Sequence, residues 1–295
     1  MRNGILNVDP KLYHAKHHLI EVFRMKRIKL FFCLIILASF SNSAHADAFN
    51  RVLKSGELRV GVSLSEPWVM KEKEDSFTGF EIQIAEQLAK DMGVKLKLKV
   101  VDWEDLINTL VAKKIDIIIA GLAITPSRAL RINFSNAYAS GGIGIAASIA
   151  KTKHKDSLND LNNSKVTIGV VSNTVSEKLA KRIFNQAQIK SFIKTKDAKN
   201  AVIEGKIHAL ISSSPIPQFL ALKHPEKIDV PLDKPLLGYK SGMAVNKGEQ
   251  ELLNYLNAWI TARDAEGWLS AKHNFWFKSL DWKNEYDDAN ASRQY

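Results

Sequence analysis

Cysteine is all but absent from the 295 residues. Its single instance, Cys33, lies in an apolar stretch near the N-terminus. Beyond it the chain can form no disulfide, offer no thiol nucleophile and hold no metal through thiolate. Long apolar runs are equally scarce. Residues 30–40 form one, and it is shorter than the roughly 20 residues a comfortable membrane span requires. Histidine is thin as well. Four of the eight fall before residue 47, and His208 and His273 stand singly, without metal-ligand spacing, so neither a metal site nor a cofactor is expected. No RNA-binding, zinc-finger or helix-turn-helix signature accompanies the pI of 9.5, and nucleic acid is not an expected partner.

What is present near the N-terminus has an order of its own. From Met25 the chain reads MKRIKLFFCLIILASFSNSAHADAF. Lys26, Arg27 and Lys29 make a basic region, residues 30–40 an apolar one, and Ala44-His45-Ala46 a small-residue cleavage signal. That order is a secretory signal peptide. Residues 1–24 carry no pattern that belongs before one, so a start at Met25 is expected, with 1–24 as a start-site extension. Cleavage after Ala46 leaves 249 residues with 35 Lys+Arg against 29 Asp+Glu, a net of +6. A chain of that size buries enough core to do without disulfides, and export places it in the periplasm.

After residue 46 strands and helices alternate. Residues 58–63 and 95–101 alternate as strands. Residues 79–92 put Phe80, Ile84, Leu88 and Met92 on one helical stripe, stopped by Gly93. Asp102 is placed to cap a helix to about residue 112. Residues 115–120, IDIIIA, are a continuous apolar run, as in a strand covered on both faces. The cycle restarts after the glycines at 141, 142 and 144. Strands are expected over 166–171, 189–193, 208–212 and 236–245, and helices over 176–184, 197–204, 215–223, 252–260 and 265–276. Such alternation implies parallel α/β sheets. The second unit is inserted in the first, because closing helices follow it. Charge divides the same way: residues 140–239 carry 15 basic against 8 acidic side chains, the rest of the mature chain 20 against 21. The expected lobes are 47–139 with 240–295, and 140–239. Ligands of open α/β sheets bind beyond the carboxyl ends of the strands, so two facing units make a cleft with a two-strand hinge.

One residue is out of place by the dipole rule. In AGLAITPSRALR, Thr125 suits a helix N-cap and Pro126 the first helical position, yet Arg128 follows at once, where negative charge is favoured. A strand end, free backbone N–H groups and a planar guanidinium together make a carboxylate site. An arginine paired with a local aspartate, or simply solvated, is the alternative reading.

Taken together, LRVGVSLSEPW, FTGFEIQIAEQLAKDMGV, DWEDLINTLVAKKIDIIIAG and ITPSRALRINFSNAY resemble family 3 of the bacterial extracellular solute-binding proteins, the polar amino acid group. KVTIGVVSNTVSE, EGKIHALISSSPIP and NKGEQELLNYLNAWI continue the likeness, which spans about residues 55–282. The resemblance implies a two-lobed, type II periplasmic-binding-protein-like α/β fold. It also implies a monomer that closes on a small solute and hands it to the permease subunits of an ABC importer. By that resemblance Arg128 grips a ligand carboxylate. Gly121, Ala123 and Thr125 accompany it, Trp68 and Trp103 wall the pocket, and Thr174 and Ser213 face them from the second lobe. Ala123 replaces a common hydroxyl residue. Ser213, His208 and Ser63 stand where the family often has acids that hold the ligand's ammonium. The pocket thus reads as a carboxylate site without its amine clamp, with Glu66 or Glu81 as possible substitute charges. The aromatics of GWLSAKHNFWFKSLDW, Trp268, Phe275, Trp276 and Trp282, are expected to serve lobe packing.

An enzyme is the competing class. Cyclohexadienyl dehydratases resemble these proteins and use a glutamate near the second-lobe turn as a general acid. Glu177 lies near Thr174, but at a different offset, and in a first helical turn where glutamate is favourable anyway. A lone carboxylate without an acid–base partner is weak support for catalysis, so no catalytic residue is expected. A sensor or accessory subunit is a further alternative.

Overall fold

Two crossover strands organise the structure, a computed structural model that describes residues 48–73, 76–153, 157–279 and 282. These residues belong to one unit, Ala46–Tyr295; the expected signal peptide lies outside them. The chain enters through α1 (Ala48–Ser55) and β1 (Glu57–Val62). A hairpin follows, β2 (Met70–Lys73) and β3 (Ser76–Thr78), then α2 (Phe80–Asp91) and β4 (Lys95–Val100). A 3-10 turn, Trp103–Asp105, leads into α3 (Leu106–Val111), β5 (Ile117–Ile118) and the short α4 (Pro126–Ala129). The crossover β6 (Asn133–Ser148) then carries the chain onward.

Beyond it come α5 (Ile149–Thr152), a 3-10 turn at Leu158–Leu161, β7 (Thr167–Val171), α6 (Val175–Ile183) and β8 (Gln188–Phe192). Next are α7 (Thr195–Ile203), β9 (Ala209–Ser213), α8 (Ile216–Lys223) and β10 (Ile228–Asp229). The return crossover β11 (Leu237–Val245) leads to α9 (Gln250–Ala265), α10 (Trp268–Asn274) and a π-helical turn, Phe275–Ser279.

The main sheet runs β4-β1-β5-β11-β6-β9-β7-β8. On one side β1 pairs β4 and β5 in parallel; on the other β7 pairs β8 and β9 in parallel. Between them the antiparallel pair β6 and β11 joins the two parallel blocks, and its register shifts between Ser241 and Ala244. The fold is the expected two-lobed α/β arrangement with a two-strand hinge. One core gathers Leu58, Val60, Phe80, Ile84, Leu88, Met243, Leu256 and Trp276. Another gathers Ile143, Ile145, Ile168, Val170, Leu179 and Ile211. The closing aromatics Trp276 and Trp282 are buried in the first, as packing aromatics should be.

Several expectations are adjusted. Asp102 makes no side-chain cap, and the first turn after it is 3-10 rather than α. The apolar run at 115–120 is assigned as strand only at Ile117–Ile118, although the N–H groups of Asp116 and Ile119 still bond to β1 carbonyls. The glycines near residue 141 do not break the chain between units but lie within β6. There Gly141 and Gly142 make room for Tyr239 and Pro235, whose side chains come within 2.6 Å of where a Cβ would sit. The strand start is pinned by Asp116, whose buried carboxylate takes both Arg51 and a two-point contact from Arg59.

Candidate functional site

The cavity between the two blocks is built from loop ends. The turn after β5 contributes Ala120, Gly121 and Ala123, and α4 contributes Arg128. Ser63, Leu64, Ser65 and Trp68 follow β1. Trp103 comes from the 3-10 turn. Opposite stand Thr174, Val175 and Ser176 at the start of α6, Ser212 and Ser213 at the end of β9, and Thr195 and Ile216 at helix starts; Tyr239 of β11 closes the back. The space amounts to about 700 Å³ including its open mouth.

Thr125 caps α4 as its sequence requires: its side chain accepts the Arg128 N–H at 3.3 Å, and Pro126 takes the first helical position. That cap turns Arg128 into the cavity. Nη1 donates to the Ala123 carbonyl at 2.9 Å and Nη2 to the Asn173 carbonyl, across the cleft, at 3.0 Å. The guanidinium carbon lies 5.6 Å from the Trp103 ring centre, an attractive stacking contact. Among the described residues no carboxylate forms a salt bridge with Arg128. Burial pushes its pKa down to about 10, with Tyr239 opposing the shift. The cation is thus half-buried and, among the described residues, met only by neutral groups.

Seven of the eight sequence-predicted residues, Arg128, Gly121, Ala123, Trp103, Trp68, Thr174 and Ser213, line this one cavity. Thr125 does not; it acts behind Arg128. The Thr174 hydroxyl is engaged locally, donating to Val171 O at 2.7 Å and accepting Glu177 N–H at 3.1 Å. Ser213 is within hydrogen-bond reach of Tyr239. Tyr239, Asn173 and Thr195 were not singled out from sequence. Tyr239 belongs to the crossover strand, whose pairing partners lie far along the chain, so only the non-local register brings it in. Asn173, in the left-handed region at φ 59°, is permitted there by its short polar side chain.

The two substitute acids have separate fates. Glu66 reaches across the cleft to Lys199 at 3.2 Å and Lys223 at 2.7 Å. Burial works to raise its pKa, but the hydrogen bond from Lys223 and the charge of Lys199 outweigh that, and the net shift is downward. Its charge is already used between the lobes. Glu81 is fully buried in the first turn of α2 and accepts the Tyr138 hydroxyl at 2.7 Å. Gly79 makes this placement possible: a Cβ there would fall 2.3 Å from the Trp68 carbonyl, which instead accepts the Glu81 N–H. Glu177, the residue considered for an acid, is held by Asn173 N–H at 2.8 Å, Ser191 at 2.7 Å and Lys181 at 2.9 Å, and does not line the cavity. His208 accepts the Thr167 N–H through Nδ1 at 3.0 Å. Among the described residues no group of three or more His, Cys, Asp or Glu is placed to hold a metal, and no described helix is long and apolar enough to cross a membrane.

A two-lobed α/β scaffold with its cavity at the hinge defines a class of binding protein, and the profile of the bacterial extracellular solute-binding proteins, family 3, matches residues 58–279. The chain belongs to that family, whose members are extracellular or periplasmic. It is 26% identical over 245 residues to the L-cystine-binding protein TcyJ of Escherichia coli, covering 82% of this chain and 91% of the other. It is 23% identical over 247 residues to the cyclohexadienyl dehydratase of Pseudomonas aeruginosa, covering 83% and 92%. The structure of a putative ABC-transporter binding component from Wolinella succinogenes, complexed with lysine, is also similar. It has a TM-score of 0.72 and 33% identity, covering 78% of this chain and 99% of the other.

Proposed function

We propose that the chain is a periplasmic binding protein for a small carboxylate-bearing solute, an amino acid, an amino-acid-like compound or an organic acid. It captures the solute by closing lobe 47–139 with 240–295 against lobe 140–239, and delivers it as a monomer to an ABC importer's permease subunits. The observation that carries this reading is Arg128: a half-buried guanidinium aimed into the cavity, with no carboxylate among the described residues to meet it. Leaving a charge in that state is costly unless a partner arrives. A solute carboxylate replaces the two carbonyl contacts with a matched fork. Gly121 and Ala123 shape the floor, Trp68 and Trp103 the walls, and Thr174 and Ser213 close from the other lobe.

Closure has its own contacts. Arg128 and Trp103 both bond to the Asn173 carbonyl, Lys178 to Ser127, and Glu66 to Lys199 and Lys223. All of these tie one lobe to the other. A role without catalysis is favoured by Glu177, whose oxygens are occupied outside the cavity. The dehydratase relative makes the enzyme reading worth one assay, loss of prephenate or arogenate followed spectroscopically; no turnover is expected.

The test is a thermal-shift screen of amino acids, keto acids and dicarboxylates. A solute at ~100 times its Kd adds ~2.7 kcal/mol to stability. A carboxylate that raises the melting temperature supports the reading. Stabilisation only by uncharged compounds would remove it.

A further inference from the structure

Glu81 is a fully buried acid with no salt bridge among the described residues. It is 0% exposed, its Oε2 accepts the Tyr138 hydroxyl, and its Oε1 has no hydrogen-bond partner among them. A buried carboxyl oxygen left unpaired is unfavourable, and native structures keep few of them. What separates this oxygen from the solute cavity is thin. Gly121 lines the cavity with φ +62°. An ideal Cβ on it would sit 3.1 Å from Nε1 and Cδ1 of Trp68 and 3.4 Å from Oε1 of Glu81. A side chain there would be crowded, because the edge of the Trp68 indole and the free oxygen both pack close to the bare glycine. The Gly121 N–H donates instead to Tyr138 Oη at 3.2 Å. Meanwhile the two cavity positions where the family resemblance leads one to look for an acid, Ser63 and Ser213, carry no charge.

We infer that Glu81 is a specificity-determining residue: its free oxygen receives a cationic hydrogen-bond donor of the solute, an ammonium or guanidinium, beside Gly121 once the Trp68 indole turns aside. This rests on the carboxylate reading of the cavity and narrows it to solutes that carry both charges. The acid clamp absent at Ser213 is then supplied from behind the first-lobe wall.

The titratable neighbours of Glu81 are Tyr138 from β6 and Tyr239 from β11, with His273 of α10 edge-on to Phe80; Arg128 feels Tyr239 from across the cavity. Desolvation pushes the Glu81 pKa up to about 8, against the hydrogen bond from Tyr138. The carboxyl is thus protonated at neutral pH. When an ammonium docks, the carboxyl gives its proton to solvent and the carboxylate meets the cation, so charge balances. Affinity for such a solute then rises with pH between about 6 and 8, by up to roughly tenfold per unit.

The experiment is calorimetric titration near neutral pH in phosphate and in Tris, whose ionisation enthalpies differ. The probes are arginine, lysine, cystine, glutamate and phenylalanine, with glutarate and 3-phenylpropionate as amine-free partners of the last two. The proteins are wild type, Glu81→Gln, Glu81→Asp and Arg128→Ala, each checked for folding by circular dichroism. The expected result is an amine-bearing probe that binds wild type with release of about one proton. Glu81→Gln should lose that release and roughly tenfold or more in affinity, while amine-free probes bind both proteins alike. Glu81→Asp, which keeps the acid but draws it back from the cavity wall by one methylene, should show the same selective loss, so the conclusion survives if Glu81→Gln does not fold. Unchanged affinity and proton release in both variants overturns the inference, as does a wild type that binds only amine-free probes. If Arg128→Ala abolishes binding while Glu81→Gln leaves it intact, only this inference fails. If Arg128→Ala changes nothing, or no probe binds, the carboxylate reading falls with it.

Discussion

Thr125 reaches the cavity only through Arg128. Its hydroxyl takes the Arg128 N–H and fixes the first turn of α4, so the guanidinium enters the cavity at a set angle. Replacing it with alanine should cost about 1 kcal/mol of stability, read by urea titration. The loss of solute affinity should be smaller than for Arg128→Ala. Glu81 makes a different prediction. Its folded pKa, near 8, lies above the ordinary carboxyl value, so its contribution is fully present below about pH 4.5 and is lost as pH rises toward 8. Without solute, unfolding free energy should fall across that window by up to ~1.4 kcal/mol per unit, and Glu81→Gln should flatten the slope. A wild-type curve level from about pH 5 to 8 would contradict the burial account. The cap, the proline and the misplaced arginine were all legible because they are neighbours in sequence. Glu81 was noticed only as a possible charge; its partner Tyr138 is brought in by β6 and its neighbour Gly121 by the turn after β5, and no local pattern announces them.

At the scale of elements, hydrophobic period located most strands and helices, because a strand covered on both faces or a striped helix writes its burial into the sequence. Residues 58–63, 166–171 and 236–245 were legible in this way. The β2–β3 hairpin was not: Met70–Lys73 carries two lysines and a glutamate, and its pairing is with β3 alone. The glycines of β6 suggested a break, whereas they are places where the return crossover packs its larger side chains close. Asp116 ties α1, β1 and the start of β5 together through Arg51 and Arg59. Asp116→Ala strips the carboxylate from two arginines at once and should destabilise the fold by about 3 kcal/mol, measured by chemical denaturation. A change under about 0.5 kcal/mol would assign that cluster to the solvated surface instead.

At the scale of the molecule, the proposed closure rests on contacts across the cleft between segments of unlike charge. Glu66 reaches Lys199 and Lys223, which lie in residues 140–239 with their 15 basic against 8 acidic side chains. Because the lysines lower the Glu66 pKa, this contact is present above the ordinary carboxyl range and is lost as pH falls through the lowered value. Glu66→Gln should shift the solute-free protein toward an open form, seen as a larger radius of gyration by small-angle scattering, and added salt should act in the same direction. The central claim is that Arg128 holds a solute carboxylate at the hinge. It is tested most directly by titrating the solute that emerges from the thermal screen into wild type and Arg128→Ala, side by side in a calorimeter. The account predicts a loss of ~2–5 kcal/mol in binding free energy; equal affinity in the two proteins would contradict it.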